Sequence, residues 1–187
     1  MAYIITLNGK RPKIGKNVYL AETATLIGDV VIGDNSSIWF GAVLRGDVNS
    51  IVVGNMVNIQ DNAVIHTSYG TSVSILEDKV SIGHNAIVHG AQVGPGTLIG
   101  MGATLLDNAK IGAGCVIAAN SLVLAKTVIE DGMLYAGVPA KPIRQLTPEQ
   151  IQKMAIGNAE GYGLYASWFL DESATLERVD IHGNPLD

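Results

Sequence analysis

An aliphatic residue recurs at every sixth position over most of this sequence, with short interruptions after positions 44 and 65. A period of six fits neither an amphipathic helix nor a single alternating strand. The repeat therefore predicts short strands separated by tight turns. The aliphatic positions are Ile14, Leu20, Leu26, Ile32, Ile38, Leu44, Val53, Ile59, Ile65, Leu76, Ile82, Val88, Val93, Ile99, Leu105, Ile111, Ile117, Val123 and Ile129.

The composition agrees with such a repeat, because the chain has 22 Gly among 187 residues and only 5% aromatic residues. Gly, Asn and Asp adopt the positive φ values that tight turns need. Three hexads form one coil, and stacked coils about 4.8 Å apart pair every backbone group with the coils above and below. The pattern is similar to the left-handed parallel β-helix of hexapeptide-repeat proteins, and it predicts a mainly β fold.

The repeat also sets the predicted boundaries. Residues 1–11 form an N-terminal hairpin cap around Asn8-Gly9, residues 12–145 the β-helix, residues 146–171 a C-terminal α-helix packed on the prism, and residues 172–187 a polar tail. Pro139 and Pro142 end the ladder, and a capping box starts at Thr147. The predicted apolar stripe of the helix consists of Ile151, Met154, Ala155, Tyr162, Tyr165 and Phe169.

Charge and hydropathy exclude several classes of function. The net charge of −5 argues against a nucleic-acid or anionic-membrane partner, since both normally require a basic patch. No unbroken apolar run reaches the length of a membrane span, and the first twenty residues do not resemble a signal peptide, so we expect a cytoplasmic protein. Cys115 is the single cysteine, which excludes an internal disulfide.

Counting hexads in threes assigns each to one face of a triangular prism. We define the first face by positions 14, 32, 53, 76, 93 and 111, the second face by 20, 38, 59, 82, 99 and 117, and the third face by 26, 44, 65, 88, 105 and 123. This assignment treats residues 67–74 as an excursion from the repeat. If these residues formed an extra hexad, the polar side chain of Thr71 would have to point into the apolar interior.

The residue after each aliphatic position points outward, so Arg45, His66 and His89 are expected side by side on the third face. His84 falls on the second face, beside Asp61 of the previous coil. Because outward side chains on two faces diverge, His84 should meet His66 and His89 only across a contact between chains packed around a threefold axis.

Three imidazoles that leave one coordination position open form the arrangement of catalytic zinc, in which bound water is acidified. Each histidine alone is more often an ordinary surface residue than a metal ligand. The joint pattern, with three of the four histidines in a 24-residue window, favours a metal site. His182, in the tail, is interpreted as a surface residue.

With these histidines in place, the chain resembles the γ-class carbonic anhydrases and their carbonic anhydrase-like relatives among hexapeptide-repeat proteins. The matching segments are LRGD at 44–47, NIQDNAVIH at 58–66, IGHNAIVHG at 82–90 and PAKPIR at 139–144. The resemblance implies a homotrimer with one divalent metal, Zn or else Fe or Co, at each subunit interface. It also implies that His66 and His89 come from one chain and His84 from the next.

The resemblance implies roles for further residues. Arg45 and Asp47 match interface ion-pairing residues, and Asp61 matches a carboxylate that orients a ligand imidazole. Gln60 matches the residue that orients metal-bound water or bicarbonate, and Asn58, two positions earlier, can bond the same species or serve as a ladder amide. Tyr162 resembles the helix tyrosine that closes the site, although it also fits a core residue.

Two departures from the family concern proton transfer. Efficient members carry an acidic loop after the first histidine, whereas residues 67–74 here contain no carboxylate, and Val48 stands where some relatives have glutamate. The first hypothesis is nevertheless a metal-dependent hydratase that converts CO2 and water to bicarbonate. The alternatives are a hydrolase or acyltransferase acting on CoA thioesters, and a metal-stabilised trimeric scaffold without turnover.

Overall fold

The computed structural model describes residues 2–171, so the predicted tail at 172–187 and His182 lie outside the described residues. The described chain forms twenty short strands followed by a helical segment. In chain order the strands are β1 (Tyr3–Ile5), β2 (Lys13–Ile14), β3 (Tyr19–Leu20), β4 (Thr25–Ile32), β5 (Ser37–Ile38), β6 (Val43–Val53), β7 (Asn58–Ile59), β8 (Val64–His66), β9 (Ser74–Leu76), β10 (Ser81–Ile82), β11 (Ile87–His89), β12 (Gln92–Val93), β13 (Leu98–Ile99), β14 (Thr104–Leu105), β15 (Lys110–Ile111), β16 (Val116–Ile117), β17 (Leu122–Val123), β18 (Val128–Ile129), β19 (Met133–Gly137) and β20 (Ala140–Gln145).

Successive coils pair in parallel, and the pairing confirms the three predicted faces. On the third face Leu44 lies opposite Ile65, and Ile65 lies opposite Val88. The second face forms a separate eight-stranded sheet, whereas β4 and β6 each continue from the third face onto the first and join those two faces in one sheet. The mainly β, left-handed parallel β-helix is therefore the fold of this chain, and every predicted aliphatic position lies in its predicted column.

The prism is filled by the predicted aliphatic columns. Ile38, Ile59 and Ile82 are fully buried, and a small residue such as Ala42 or Ala63 fills each corner. Each buried aliphatic side chain contributes about 1.5–3 kcal/mol to stability through removal of its surface from water. The repeat therefore fixes which side chains point inward and, by alternation, which point outward.

Both ends of the prism differ from the regular coil. The predicted turn at Asn8-Gly9 is present, since both residues have positive φ and Leu7 pairs with Lys10 in an antiparallel bridge. Strand β1 nevertheless pairs in parallel with β4, so it extends the third face. At the other end, β19 and β20 form an antiparallel hairpin around Pro139, and the parallel ladder stops there.

The capping box at Thr147 is present and opens a helical segment made of α1 (Pro148–Ile151), a π-helix (Gln152–Ile156) and α2 (Gly157–Leu170). Helix α2 packs on β3, β5 and β7 of the second face. The rings of Tyr19, Trp39 and Tyr162 form its contact, with the Trp39 and Tyr162 centroids 5.3 Å apart. No helix within residues 2–171 is both long and apolar enough to span a bilayer.

The predicted stripe of the helix is partly wrong. Ala155, Ala159 and Ala166 are the buried residues, whereas Met154, Tyr165 and Phe169 of the predicted stripe are exposed. The π-helix explains the difference, because its wider turn rotates everything that follows relative to a regular α-helix. The change leaves Tyr162 half-buried, directed toward the second face.

Candidate metal centre

His66 and His89 lie side by side on the third face. The two residues are register partners in the parallel pair of β8 and β11, and each follows an inward aliphatic residue, so both imidazoles project outward as predicted. His66 Nδ1 lies 3.2 Å from His89 Nε2. The sequence thus brings two imidazole nitrogens within the spacing of ligands that share one ion.

Each of these imidazoles is held by a carboxylate through its other nitrogen. His66 Nε2 lies 3.0 Å from Asp47 Oδ1, and His89 Nδ1 lies 3.2 Å from Asp107 Oδ2. Because an ionised carboxylate only accepts hydrogen bonds, those two nitrogens carry the protons. When both rings are neutral, the nitrogens that face each other, His66 Nδ1 and His89 Nε2, are left with lone pairs.

Two lone pairs that face each other at 3.2 Å repel unless a positive charge lies between them. A divalent cation with two Zn–N distances of 2.0–2.1 Å and this spacing would subtend an angle of about 100°, close to the tetrahedral preference of zinc. Neutral imidazoles oriented by carboxylates are the usual form of protein zinc ligands. The residues present therefore fit a shared metal ion.

The carboxylate that holds His66 is itself fixed by a guanidinium. Arg45 donates a hydrogen bond to the second oxygen of Asp47. Burial alone would raise the pKa of Asp47, but the hydrogen bonds from Arg45 and His66 hold that pKa below its ordinary value. The predicted ion pair is thus present, and it lies within one chain, while the predicted contact of Arg45 with another subunit stays a prediction.

His84 lies on the second face, under the helical segment. Its Nδ1 is 2.8 Å from Asp61 Oδ2, and its Nε2 is 3.3 Å from the hydroxyl of Tyr162. Burial, followed by the negative charge of Asp61, raises the pKa of Tyr162 to about 12. The hydroxyl therefore stays protonated and donates a hydrogen bond to His84 Nε2. His84 therefore repeats the pattern of the other two histidines, with one nitrogen on a carboxylate and the other accepting.

Gln60, on the neighbouring coil, holds the backbone of His84 by a hydrogen bond. The Gln60 side-chain oxygen accepts the backbone N–H of His84 at 3.2 Å, and its amide nitrogen donates to Asn58 at 2.9 Å and to Asn158 at 3.4 Å. Asn58 in turn donates to Ser81, and both Asn58 and Gln60 are buried. Gln60 and His84, with Asn158 and Tyr162 of the helical segment, line a cavity of about 260 Å³.

The predicted residues thus form two groups on different faces. We call His66, His89, Asp47 and Asp107 the third-face half-site. His84, Asp61, Gln60 and Tyr162 form the second-face half-site. Within residues 2–171 of one chain, no three potential metal ligands converge on one point. The separation of His84 from the other two histidines is therefore as expected from the face assignment.

Sequence reasoning missed Asp107 of the third-face half-site and Asn158, which lines the cavity beside the second-face half-site. Asp107 follows β14, one coil beyond His89, and Asn158 lies one helical turn before Tyr162. The position of Asp107 could have been found from the repeat, because Leu105 pairs with Val88 and the residues after Leu105 must lie beside His89 and Gly90. The position of Asn158 depends on the π-helix, which no sequence pattern indicated.

Comparisons with known proteins agree with this architecture. The family model of the bacterial transferase hexapeptide (six repeats) matches residues 11–46 and 90–125. The crystal structure of a hexapeptide transferase family protein from Anaplasma phagocytophilum superposes with a TM-score of 0.84 at 39% identity, covering 89% of this chain and 98% of that one.

Among curated relatives, the carbonic anhydrase of Geobacillus kaustophilus is 46% identical over 151 residues, covering 81% of this chain and 82% of that protein. The mitochondrial gamma carbonic anhydrase 2 of Arabidopsis thaliana is 40% identical over 178 residues, which is 92% of this chain. The chain spans 64% of the length of that plant relative. By this similarity over nearly its whole repeat, the chain belongs to the γ-class carbonic anhydrases and carbonic anhydrase-like hexapeptide-repeat proteins.

Proposed function

We propose that this protein is a metal-dependent hydratase of the carbonic anhydrase type, which converts CO2 and water to bicarbonate at the subunit interfaces of a homotrimer. One observation carries the proposal: His66 Nδ1 and His89 Nε2 face each other at 3.2 Å while carboxylates hold their other nitrogens. Relatives named as carbonic anhydrases cover 92% and 81% of this chain.

The cation would be held by His66 and His89 of one chain and by His84 of a neighbouring chain, giving one site per interface. Three imidazoles accept Zn, Co or Fe(II), and availability decides among them. A divalent cation with three imidazole ligands and an open position supplies an acidified water molecule, which is the nucleophile that CO2 hydration needs.

The need for a second chain follows from the two faces of the prism. His84 projects from the second face and the histidine pair from the third, so their side chains diverge within one chain. A face-to-corner contact repeated around a threefold axis is heterologous and closes into a ring. Such a ring would bring the second-face half-site of one chain to the third-face half-site of the next.

The chain's own residues would prepare this site for chemistry. Asp47 and Asp61 fix the rings of His66 and His84 through one nitrogen of each, which leaves the other nitrogen to bind the cation. Gln60, held by its hydrogen bond to the buried Asn58, lines the cavity of about 260 Å³ beside His84, where its amide would orient water or bicarbonate. Tyr162 keeps its proton and closes that cavity as a hydrogen-bond donor.

Proton release is where this chain differs from efficient family members. The segment 67–74 has no carboxylate, and Val48 cannot accept a proton. We therefore propose that protons leave through external buffer. Turnover would then be slow in dilute buffer and faster in concentrated imidazole or phosphate.

The decisive experiment is elemental analysis of protein purified without oxygen, followed by stopped-flow CO2 hydration on the same sample. His89→Ala removes one of two adjacent ligands, so we expect the metal content to fall to near zero and CO2 hydration with it. His182→Ala is the matched control, because it makes the same change in the predicted surface tail. Full metal content and full hydration in His89→Ala would overturn the proposal.

A second candidate function is hydrolysis or transfer of the acyl group of a CoA thioester. It is favoured by the transferase family model and by the Anaplasma relative, which is described as a hexapeptide transferase family protein. Release of free thiol from acetyl-CoA by the purified protein would support it. If removal of metal lowers the melting temperature while neither CO2 nor acetyl-CoA is consumed, the third hypothesis, a trimeric scaffold, stands instead.

A further inference from the structure

Asp107 is the least expected member of the third-face half-site. It follows β14, one coil beyond His89, and its Oδ2 atom lies 3.2 Å from His89 Nδ1. Through this contact Asp107 selects the ring nitrogen that carries the proton. The other nitrogen, Nε2, is thereby left to face His66.

Asp107 is itself held by the excursion between β8 and β9. The hydroxyl of Ser72 donates to Oδ1, and the hydroxyl of Ser68 donates to Oδ2 at 3.2 Å. The backbone N–H of Ser68 donates in turn to the Ser72 hydroxyl at 3.0 Å, and Ser72 is buried. The segment that lacks the family's acidic residues is thus tied to a carboxylate from another coil.

Gly90 shows that this arrangement constrains the sequence around the histidine. Gly90 has φ +62°, and a Cβ there would overlap both the Ser72 hydroxyl and Asp107 Oδ1. Only glycine lets the serine and the aspartate meet across the backbone directly after His89. The final glycine of the segment IGHNAIVHG is therefore explained by the contact of Ser72 with Asp107.

These contacts hold the carboxylate in its ionised form. Ser72 donates to one oxygen of Asp107 and Ser68 to the other, which are the contacts that an ionised carboxylate accepts. The carboxylate can therefore only accept, which fixes the direction of its bond with His89.

We infer that Asp107, held by Ser68 and Ser72, is the positioning residue that sets the tautomer and ring orientation of His89 for metal binding. The inference rests on the proposed function, because it concerns a ligand of the proposed site. Removal of a carboxylate that orients a ligand imidazole typically weakens metal affinity by about 10- to 100-fold.

The test compares Asp107→Asn and Ser72→Ala with the control Asp131→Asn. Asp131 accepts the backbone N–H of Ala113 in another turn and does not contact the half-sites described above. Affinity for Co²⁺ is measured on the trimer by competition with a chelator, and the visible spectrum of the Co²⁺-loaded protein reports ligand geometry. We expect Asp107→Asn to bind Co²⁺ about 10- to 100-fold more weakly with an altered spectrum, and Ser72→Ala to bind it several-fold more weakly. Asp131→Asn should match the wild type.

A second measurement needs no metal. Long-range ¹H–¹⁵N correlation spectra of the metal-free protein report which nitrogen of His89 carries the proton, and Asp107→Asn should shift it from Nδ1 toward Nε2. Should Asp107→Asn fail to assemble, Ser72→Ala carries the same two readouts.

The two proposals fail differently. A wild-type trimer that binds no Co²⁺ overturns the proposed function, and the inference about Asp107 with it. Wild-type affinity, spectrum and tautomer in Asp107→Asn and Ser72→Ala overturn the inference alone.

Discussion

The two half-sites hold their histidines in the same way but differ in what the second ring nitrogen contacts. On the third face, the free nitrogens of His66 and His89 face each other with no protein donor between them. On the second face, the free nitrogen of His84 already accepts a hydrogen bond from Tyr162. In all three cases a carboxylate holds the other nitrogen. The difference is that the second-face half-site supplies a hydrogen-bond donor to its histidine within one chain, whereas among the described residues no donor lies between the two facing nitrogens of the third-face half-site when both rings are neutral.

The largest expected effect comes from combining two inactive variants. His84→Ala damages only the second-face half-site, and His89→Ala only the third-face half-site. If each active site joins the two half-sites of different chains, mixed trimers regain intact sites. In a random 1:1 mixture about a quarter of the sites should be intact, so activity and metal content should return from near zero to about a quarter of wild type.

The matched control combines His89→Ala with His66→Ala, which damage the same half-site. No pairing of those chains restores a site, so no activity should return. Equal recovery in both mixtures, or none in the first, would break the division into two half-sites on different chains.

A smaller effect, an increase in metal affinity, is expected when the hydroxyl of Tyr162 is removed. Because its hydroxyl occupies the nitrogen with which His84 would bind metal, a cation must displace one hydrogen bond. A neutral hydrogen bond contributes about 1 kcal/mol, so Tyr162→Phe should tighten Co²⁺ binding by about fivefold. Competition with a chelator measures the affinity for Co²⁺, and Tyr165→Phe on the same helix is the control. Weaker binding in Tyr162→Phe would mean that the hydroxyl supports the metal rather than competes with it.

The β-helix and its three faces could be predicted because one inward aliphatic residue per hexad leaves a period that survives in the sequence. That period, with residues 67–74 treated as an excursion, placed His66 beside His89 and separated His84 from both. The inward residues of the columns are buried from Leu26 onward, so a slip of one residue would expose each of them.

The rest of the site could not be predicted because outward residues and excursions follow no period. The contacts of Asp107 depend on the path of residues 67–73, which leave the repeat between β8 and β9. Those of Asn158 depend on the π-helix, whose wider turn also exposed Met154 and Tyr165. In both places a single local departure from regular geometry decides which side chains meet.

The smallest expected effect concerns the guanidinium that supports the third-face half-site. The pKa of Asp47 lies below its ordinary value, against the effect of burial, because Arg45 and His66 donate to it. The ionised carboxylate therefore contributes stability at pH values above its ordinary pKa of about 4, and the contribution is lost as the pH falls through the lower, folded value. Without Arg45 the folded pKa rises toward its ordinary value, so the carboxylate contributes less stability and what remains is completely lost at a higher pH. We expect Arg45→Ala to shift the acidic side of the curve of melting temperature against pH to higher pH by less than about one unit. The pH at which bound Co²⁺ is released should rise in the same way.

Lys10→Ala is the matched comparison outside both half-sites. Lys10 pairs with Asp29, and the hydrogen bond from Lys10, followed by that from Ser50, lowers the pKa of Asp29. Losing Lys10 should therefore move the acid limb of stability in the same direction, by a small amount because Lys10 is exposed. It should leave the pH of Co²⁺ release unchanged, since Asp29 makes no contact with a histidine in the described part of the chain. If Arg45→Ala and Lys10→Ala release Co²⁺ at the same pH, Asp47 holds His66 no more tightly than a surface carboxylate would. The third-face half-site would then owe its geometry to the strand register of His66 and His89 alone.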